Sequence, residues 1–276
     1  MFTQAVTLAA GSCRHAERVV WSGGRLRPIT MPSLVGALKH SSEGWVLFDT
    51  GHAPRFATCA GNWLYRMVAP YRVAHSEGAA AQLAARGVPP EDVRHVVLSH
   101  LHPDHIGGAK DFPNATYHLS NDAWRTAGRL RGWRKLFAAW FPALLPDDFL
   151  SRVNLIRSLP DQGFGPFRQT ADLFGDGSLK LVGLPGHAAG QLGMMVNLVD
   201  RQRLFFAADA CWISESFKST LPPSRLTRFI VDDYAESLRT LDKLHQLWRQ
   251  HPDIRIIPAH CPSAALGDIT IAAACA

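Results

Sequence analysis

The sequence predicts an α+β chain in which helices pack against β-sheet. Two observations carry the fold class, and a third says where the chemistry lies. Short apolar runs at Val6 to Ala10, Leu34 to Leu38 and Trp45 to Phe48 are each bounded by Gly, Ser or Pro and read as the opening strands of a sheet. The stretch Tyr234 to Gln250 puts Leu238, Leu241, Leu244, Leu247 and Trp248 on one helical stripe, as expected of an outer helix lying on a sheet. Finally, Ser99-His100-Leu101-His102-Pro103-Asp104-His105-Ile106-Gly107-Gly108 follows directly on the apolar run Val96-Val97-Leu98.

In chain order, the three opening strands are followed by a helical segment from about Ser76 to Arg86. It contains Leu83 and is ended by Gly87 and the Pro89-Pro90 pair. Between His105 and His187 lies a segment, Trp124 to Phe141, that is aromatic and basic together. Trp133, Leu136, Phe137, Trp140 and Phe141 recur at helical spacing, which predicts one apolar face flanked by arginines. This helical insert, about 120–155, is expected to serve as a lid over an apolar substrate pocket, as a dimer element, or as an interfacial helix on a membrane. Near the end, Asp233 and Glu236 form the capping box of the last long helix. His245 falls inside that helix's apolar stripe and is read as core, not as a ligand.

With 276 residues, 47% hydrophobic and 19% charged, the chain can bury one substantial core. No internal repeat and no Pro-, Gly- or Ser-rich linker divides it, so a single domain over 1–276 is expected. The amino end lacks a basic stretch before its apolar run, and no apolar segment is long enough to span a bilayer. Five cysteines (Cys13, Cys59, Cys211, Cys261, Cys275), odd in number and without a CxxC pair, argue against a disulfide framework or a structural zinc knuckle. A reducing cytoplasm is the expected location, and Cys211 and Cys261 are expected to be small packing residues. Net charge is 29 minus 23, or +6, with the excess concentrated at Arg125, Arg129, Arg131, Arg134 and Lys135. That charge does not by itself indicate nucleic acid, and none is expected.

The histidine-rich stretch packs three imidazoles and a carboxylate into six positions. His100 and His102 alternate as strand-end neighbours do, while Asp104 and His105 sit where the chain bends toward a helix, so two groups of ligands can point into one cleft. Imidazole and carboxylate suit Zn, Mn or Fe, and without a cation such a cluster would cost solvation and mutual repulsion. A pair of divalent ions is therefore expected, with zinc first and manganese or iron as alternatives. A GxSxG elbow is absent, so no serine nucleophile is implied.

On these residues the chain resembles the metallo-β-lactamase superfamily, an αββα four-layer sandwich of two mixed sheets flanked by helices. The landmarks run in order: Asp49 in Leu47-Phe48-Asp49-Thr50-Gly51; His100, His102, Asp104 and His105; His187 in Leu184-Pro185-Gly186-His187; Asp209 in Ala207-Ala208-Asp209-Ala210; and His260 in Ile257-Pro258-Ala259-His260. The resemblance implies that His100, His102 and His187 hold one metal, that Asp104, His105 and His260 hold the other, and that Asp209 bridges them. Asp49 is implied to support ligands from behind. Apolar runs precede each downstream ligand: Leu179 to Leu184, Arg203 to Ala208, and Ile254 to Ile257.

Within the superfamily the chain looks most like the N-acyl homoserine lactonase group, through the long insert after HxHxDHIGG, the Pro-Gly-His at His187 and the small residues after Asp209. Those lactonases place a tyrosine three residues beyond the bridging aspartate, where this chain has Trp212. An indole donates one hydrogen bond but has no acidic hydroxyl. The implied function is a hydrolase of an ester-type bond, a lactone or ester of an amphipathic acyl compound, using a metal-bridging hydroxide. Asp104 and Asp209 are the candidate proton carriers, and Trp133, Phe137, Trp140 and Trp212 the candidate pocket residues. A thioesterase, a phosphodiesterase, and a metal-bound signal-binding protein with little turnover are the alternatives. The zinc β-lactamases of the best-known subgroup carry cysteine at the place of Asp209 and lack a histidine at that of His105.

Overall fold

The structure, a computed structural model, describes residues 1–270. Its strands are β1 (Phe2–Ala16), β2 (Pro28–His40), β3 (Gly44–Phe48), β4 (Tyr71–Arg72), β5 (Val93–Val97), β6 (Thr116–Ser120), β7 (Val153–Ile156), β8 (Asp161–Phe164), β9 (Phe167–Asp172), β10 (Leu179–Gly183), β11 (Leu192–Asn197), β12 (Arg203–Ala208), β13 (Ile254–Pro258) and β14 (Ile269–Thr270). They form an eight-stranded sheet, ordered β14-β1-β2-β3-β5-β6-β7 with β4 on β1, and a six-stranded sheet ordered β13-β12-β11-β10-β9-β8. Both sheets are mixed: β3, β5, β6 and β7 pair in parallel, as do β12 and β13, while the other pairs are antiparallel. With helices on the outer faces, this is the four-layer arrangement expected from the sequence.

The opening strands are longer than their apolar centres. The polar flank of β1 still pairs, Arg14 with Thr30 and His15 with Ile29, because backbone pairing does not require an apolar side chain. One core cluster joins the sheets and includes Leu38, Phe48, Leu181 and Phe206. The rings of Phe48 and Phe206 lie 5.5 Å apart across the interface. Gly36 on β2 is what admits Phe206, since a Cβ there would stand 2.6 Å from the ring.

A second cluster lies between the six-stranded sheet and helix Tyr234–Gln250. Leu241, Leu244 and Leu247 are buried there against Phe205 and Ile254, whereas Leu238 is exposed at the edge of the stripe. Asp233 caps this helix, accepting from the Glu236 N–H at 2.9 Å. The Glu236 carboxylate binds Arg239, so the expected reciprocal arm of the capping box is spent on the helix surface. His245 Nδ1 donates to the Phe217 carbonyl, 2.8 Å away, outside the ligand cluster.

The insert departs from its expected single apolar face. Helix Asn121–Arg129 ends before Gly132, whose φ is 51°, and a separate short helix, Trp133–Phe137, follows. Beyond it the chain turns at Ala139, φ 47°, and the Trp140 N–H closes back on the Lys135 carbonyl. That turn breaks the periodicity: Trp140 and Phe141 enter the core while Trp133 and Phe137 remain exposed. Among the described residues all four cysteines are free, and Cys211 and Cys261 are buried packing residues; Cys275 lies outside the described residues. No helix among the described residues is long and apolar enough to cross a membrane.

Candidate metal centre

The candidate ligands all follow strands whose carboxyl ends face the same cleft. Asp49 follows β3 and His100 follows the neighbouring parallel strand β5, with Phe48 paired to Val97. Asp209 and His260 follow the parallel pair β12 and β13, and His187 follows β10, which runs in the same sense. Asp104 and His105 lie in the first turn of the helix Pro103–Ile106, with proline at a position where its missing N–H costs nothing. Rigid strand ends thus hold loop-borne ligands.

Two non-glycine residues at these strand ends, Asp49 and Ala208, hold φ of 64° and 46°, in the left-handed region. Such conformations cost on the order of 1–3 kcal/mol each and persist where the surroundings over-determine them. At Ala208 the strain immediately precedes Asp209 and turns that carboxylate out of the sheet. The loop bearing His187 is fixed differently. Gly186 has φ 130°, and a Cβ there would stand 2.3 Å from the Ser237 nitrogen, so only glycine lets this loop press on the long helix. The Asp232 and Asp233 N–H groups seal it by donating to the His187 and Gly186 carbonyls.

All seven candidate ligands converge. Three overlapping groups, His100/His102/His187, His100/His105/Asp209 and Asp104/His105/His260, each bring one donor atom per residue within 4.8 Å of the others. His187 Nε2 lies 3.1 Å from His102 Nδ1 and 3.3 Å from Asp209 Oδ2. On the other side, Asp209 Oδ1 lies 3.3 Å from His105 Nε2 and 3.2 Å from His260 Nε2, which is 3.5 Å from Asp104 Oδ2. Metal–nitrogen bonds of about 2.0–2.1 Å in tetrahedral geometry imply donor spacings of about 3.3 Å, so these separations fit cations. The buried atoms His100 Nε2, His105 Nε2 and Asp209 Oδ1 have no hydrogen-bond partner within the protein. Unpaired groups of this kind cost about 1–3 kcal/mol each, which bound cations would offset.

Protonation follows the same division. Burial, followed by the neighbouring imidazoles, holds His100 well below its ordinary pKa, and burial with His187 holds His102 at about 3. Both are neutral imidazoles ready to ligate. At His105 burial acts downward, but the carboxylates of Asp209, Asp49 and Asp104 outweigh it and raise the pKa well above the ordinary value. His260 is raised too: burial again opposes, and Asp209 prevails. Burial would raise Asp104 and Asp209, yet the imidazoles around them hold Asp104 near about 2 and Asp209 well below the usual carboxylate range. Both imidazoles are thereby biased toward the protonated form beside these carboxylates.

Behind the donors stands a set of orienting contacts. Asp49, fully enclosed, accepts from the Ser99 N–H at 2.7 Å and the Ser99 hydroxyl at 2.8 Å, and its Oδ2 lies 2.8 Å from His105 Nδ1. That contact turns His105 Nε2 toward the cleft. His260 Nδ1 meets the Pro32 carbonyl at 2.8 Å, which does the same for its Nε2. Trp212 donates its indole N–H to Asp209 Oδ2 at 3.0 Å.

A cavity of about 340 Å³ opens on the cluster. Trp212 and Phe137 line it, and so do Leu64, Leu136 and Ile230, with no lysine or arginine among the described lining residues. Of the other expected pocket residues, Trp133 and Trp140 border a second cavity, about 430 Å³, which shares His102, His187 and Phe137 with the first. Trp140 is otherwise buried in the core. Sequence reasoning missed Tyr65, whose hydroxyl lies in the first cavity 3.5 Å from Asp104 Oδ1. Burial first, and the Asp104 charge second, raise its pKa well above the ordinary value, so the phenol stays protonated. The segment Asn62-Trp63-Leu64-Tyr65-Arg66-Met67-Val68 carries no ligand motif, so nothing in it pointed to the site.

A sequence model described as the metallo-beta-lactamase superfamily matches residues 30–249. The chain is 27% identical over 233 residues to "N-acyl homoserine lactonase AttM" of Rhizobium radiobacter, covering 80% of this chain and 79% of that protein. In fold it is similar to a B. thuringiensis AiiA variant with N-decanoyl-L-homoserine bound at its active site (TM-score 0.74, 18% identity, 95% of each chain). It is also similar to AidC, described as a dizinc quorum-quenching lactonase in complex with a product (TM-score 0.66, 16% identity, 96% of this chain and 92% of that one).

Proposed function

The chain belongs to the metallo-beta-lactamase superfamily and is a metal-dependent hydrolase, and on that premise we propose that it opens lactones, or cleaves esters, of amphipathic acyl compounds at a two-metal centre. The observation that carries the reading is the Asp209 carboxylate, whose two oxygens face two different donor groups, Oδ2 toward His187 and Oδ1 toward His105 and His260. His100, His102 and His187 would hold one ion and Asp104, His105 and His260 the other, with zinc the first candidate. When bound, such ions polarise a scissile carbonyl and make hydroxide available near neutral pH.

The remaining work falls to the chain. The apolar cavity holds the acyl part and excludes water from it. The protonated Tyr65 hydroxyl donates to Asp104 Oδ1 and so orients that carboxylate at the cavity, as the Trp212 N–H does for Asp209 Oδ2. Asp104 Oδ1, which faces Tyr65 and the cavity, carries the proton to the departing oxygen. One water is consumed, one carbon–oxygen bond forms, the ester bond breaks, and the water's proton ends on the alkoxide. The apolar lining of this cavity, with Leu64, Leu136, Phe137 and Ile230, favours an acyl group.

The test is a comparison of initial rates of the metal-loaded protein on an N-acyl homoserine lactone, an aryl ester, an acyl thioester and a phosphodiester. Highest kcat/KM on the lactone or the oxygen ester is expected. Preference for the thioester or the phosphodiester, or negligible turnover with full metal occupancy, contradicts the proposal.

A further inference from the structure

Three surface segments meet around the mouth of the apolar cavity and leave large side chains in water. Helix Asn62–Val68 turns Trp63 and Met67 outward one turn apart. Helix Trp133–Phe137 does the same with Trp133 and Phe137, whose rings meet at 5.3 Å. The turn Arg225–Phe229 adds Leu226. These five side chains keep 65–71% of their surface exposed. The helices adjoin, since Gly61 at the start of one lies against Leu136 of the other, and Phe137 and Leu226 also line the cavity. The exposed patch is therefore continuous with the pocket interior. An apolar surface of this extent, rimmed by polar groups, marks an interaction site.

The charge on these three segments is basic, with the exposed Asp232 just beyond Ile230 as the nearest carboxylate in sequence. Arg66, Arg131, Arg134 and Arg225 are exposed and Lys135 is half-buried, while segments 62–68, 131–139 and 225–230 contain no aspartate or glutamate. Arg134 lies over the Trp133 ring at 5.9 Å. A second copy of this chain, docked by a two-fold axis, would set these cations against themselves. An uncharged partner would leave them without counter-charge.

We propose that this rim docks on an anionic lipid bilayer, with Trp63, Met67, Trp133 and Leu226 at the headgroup boundary and the arginines on lipid phosphates, so that the cavity opens toward the membrane. Indoles and long basic side chains suit that boundary because each joins an apolar body to a polar or charged end. Basic residues near an anionic surface add attraction that salt screens. An amphipathic acyl compound partitions into the same layer, so docking would present it at the pocket mouth. The inference goes beyond the proposed activity and does not depend on which bond is cleaved.

Co-sedimentation of the metal-loaded protein with equimolar phosphatidylglycerol–phosphatidylcholine vesicles, against pure phosphatidylcholine vesicles, tests it without any turnover. Partitioning onto the anionic vesicles at about 0.1 M salt is expected to exceed that onto neutral ones at least about tenfold, and to fall as salt is raised. Two double variants, Arg66→Glu with Arg131→Glu and Trp63→Ser with Met67→Ser, are each expected to lower it about tenfold while leaving the circular dichroism spectrum unchanged. Equal or absent binding to both vesicle types overturns the proposal. So does a dimer in sedimentation velocity that either double variant dissolves, in a protein that does not bind vesicles.

Discussion

The indole N–H of Trp212 donates to Asp209 Oδ2 at 3.0 Å, and that same oxygen lies 3.3 Å from His187 Nε2. The tryptophan therefore fixes the rotation of the carboxylate placed between the two donor groups. Partners of this kind, acting through a ligand, typically change metal affinity 10–100-fold when removed. Trp212→Phe keeps an aromatic wall for the cavity but deletes the donor. Metal affinity by chelator competition is expected to fall about tenfold or more, with the fold unchanged. An unaltered affinity would mean that the hydrogen bond does not restrain Asp209.

Asp49 acts on the opposite group. It accepts from Ser99 twice and meets His105 Nδ1 at 2.8 Å, so Asp49→Asn removes the anion that sets the His105 tautomer. Metal content by plasma emission spectroscopy is expected to drop toward one ion per chain, with the loss from the Asp104/His105/His260 group. Full content in the variant would contradict that role.

Metal uptake is expected to release protons. His105 and His260 have raised pKa values, so in the metal-free protein they favour the folded state while protonated, below their ordinary pKa, and this stabilisation is lost as pH rises through the raised values. Because a cation must displace those protons, apparent affinity should rise with pH across that window. His100 and His102, already neutral, contribute no protons. Calorimetric titration of metal into the apoprotein, in buffers of different ionisation enthalpy, measures the release. A result of zero at neutral pH would remove the assigned protons.

Tyr65→Phe removes a hydroxyl from the cavity without touching a metal donor. Reduced kcat/KM for lactones with unchanged metal content is expected; unchanged kinetics would assign Tyr65 to packing alone.

Pocket and core separate within the insert. Trp140 is buried, so Trp140→Ala should destabilise the fold by about 3–5 kcal/mol in denaturant unfolding. Phe137 is exposed and borders both cavities, so Phe137→Ala should raise KM for long acyl chains more than for short ones while changing stability little. A uniform rise in KM would remove Phe137 from the acyl pocket.

The parts of the site that chain-local pattern specifies were legible in the sequence. The His100 to His105 run places four candidate donors within six positions, and the apolar strands before His187, Asp209 and His260 announce loops at strand ends. The long helix was readable to its ends because its stripe and its Asp233 cap are both local. Tyr65 was not, because its role comes from the packing of Asn62–Val68 over Asp104, which no spacing within that segment encodes. The insert was misread as one face because a single left-handed residue, Ala139, turns the chain between Phe137 and Trp140. Alanine carries no signal for that turn. The same holds at Ala208, where the sheet around it imposes the strained φ that aims Asp209.

The most direct test of the two-metal centre is an anomalous difference map from crystals of the zinc-loaded protein, with data collected at the zinc edge. Two peaks are expected on either side of Asp209, one within bonding distance of His100, His102 and His187 and the other of Asp104, His105 and His260. A single peak, or peaks away from Asp209, would contradict the bridging arrangement on which the proposed hydrolysis depends.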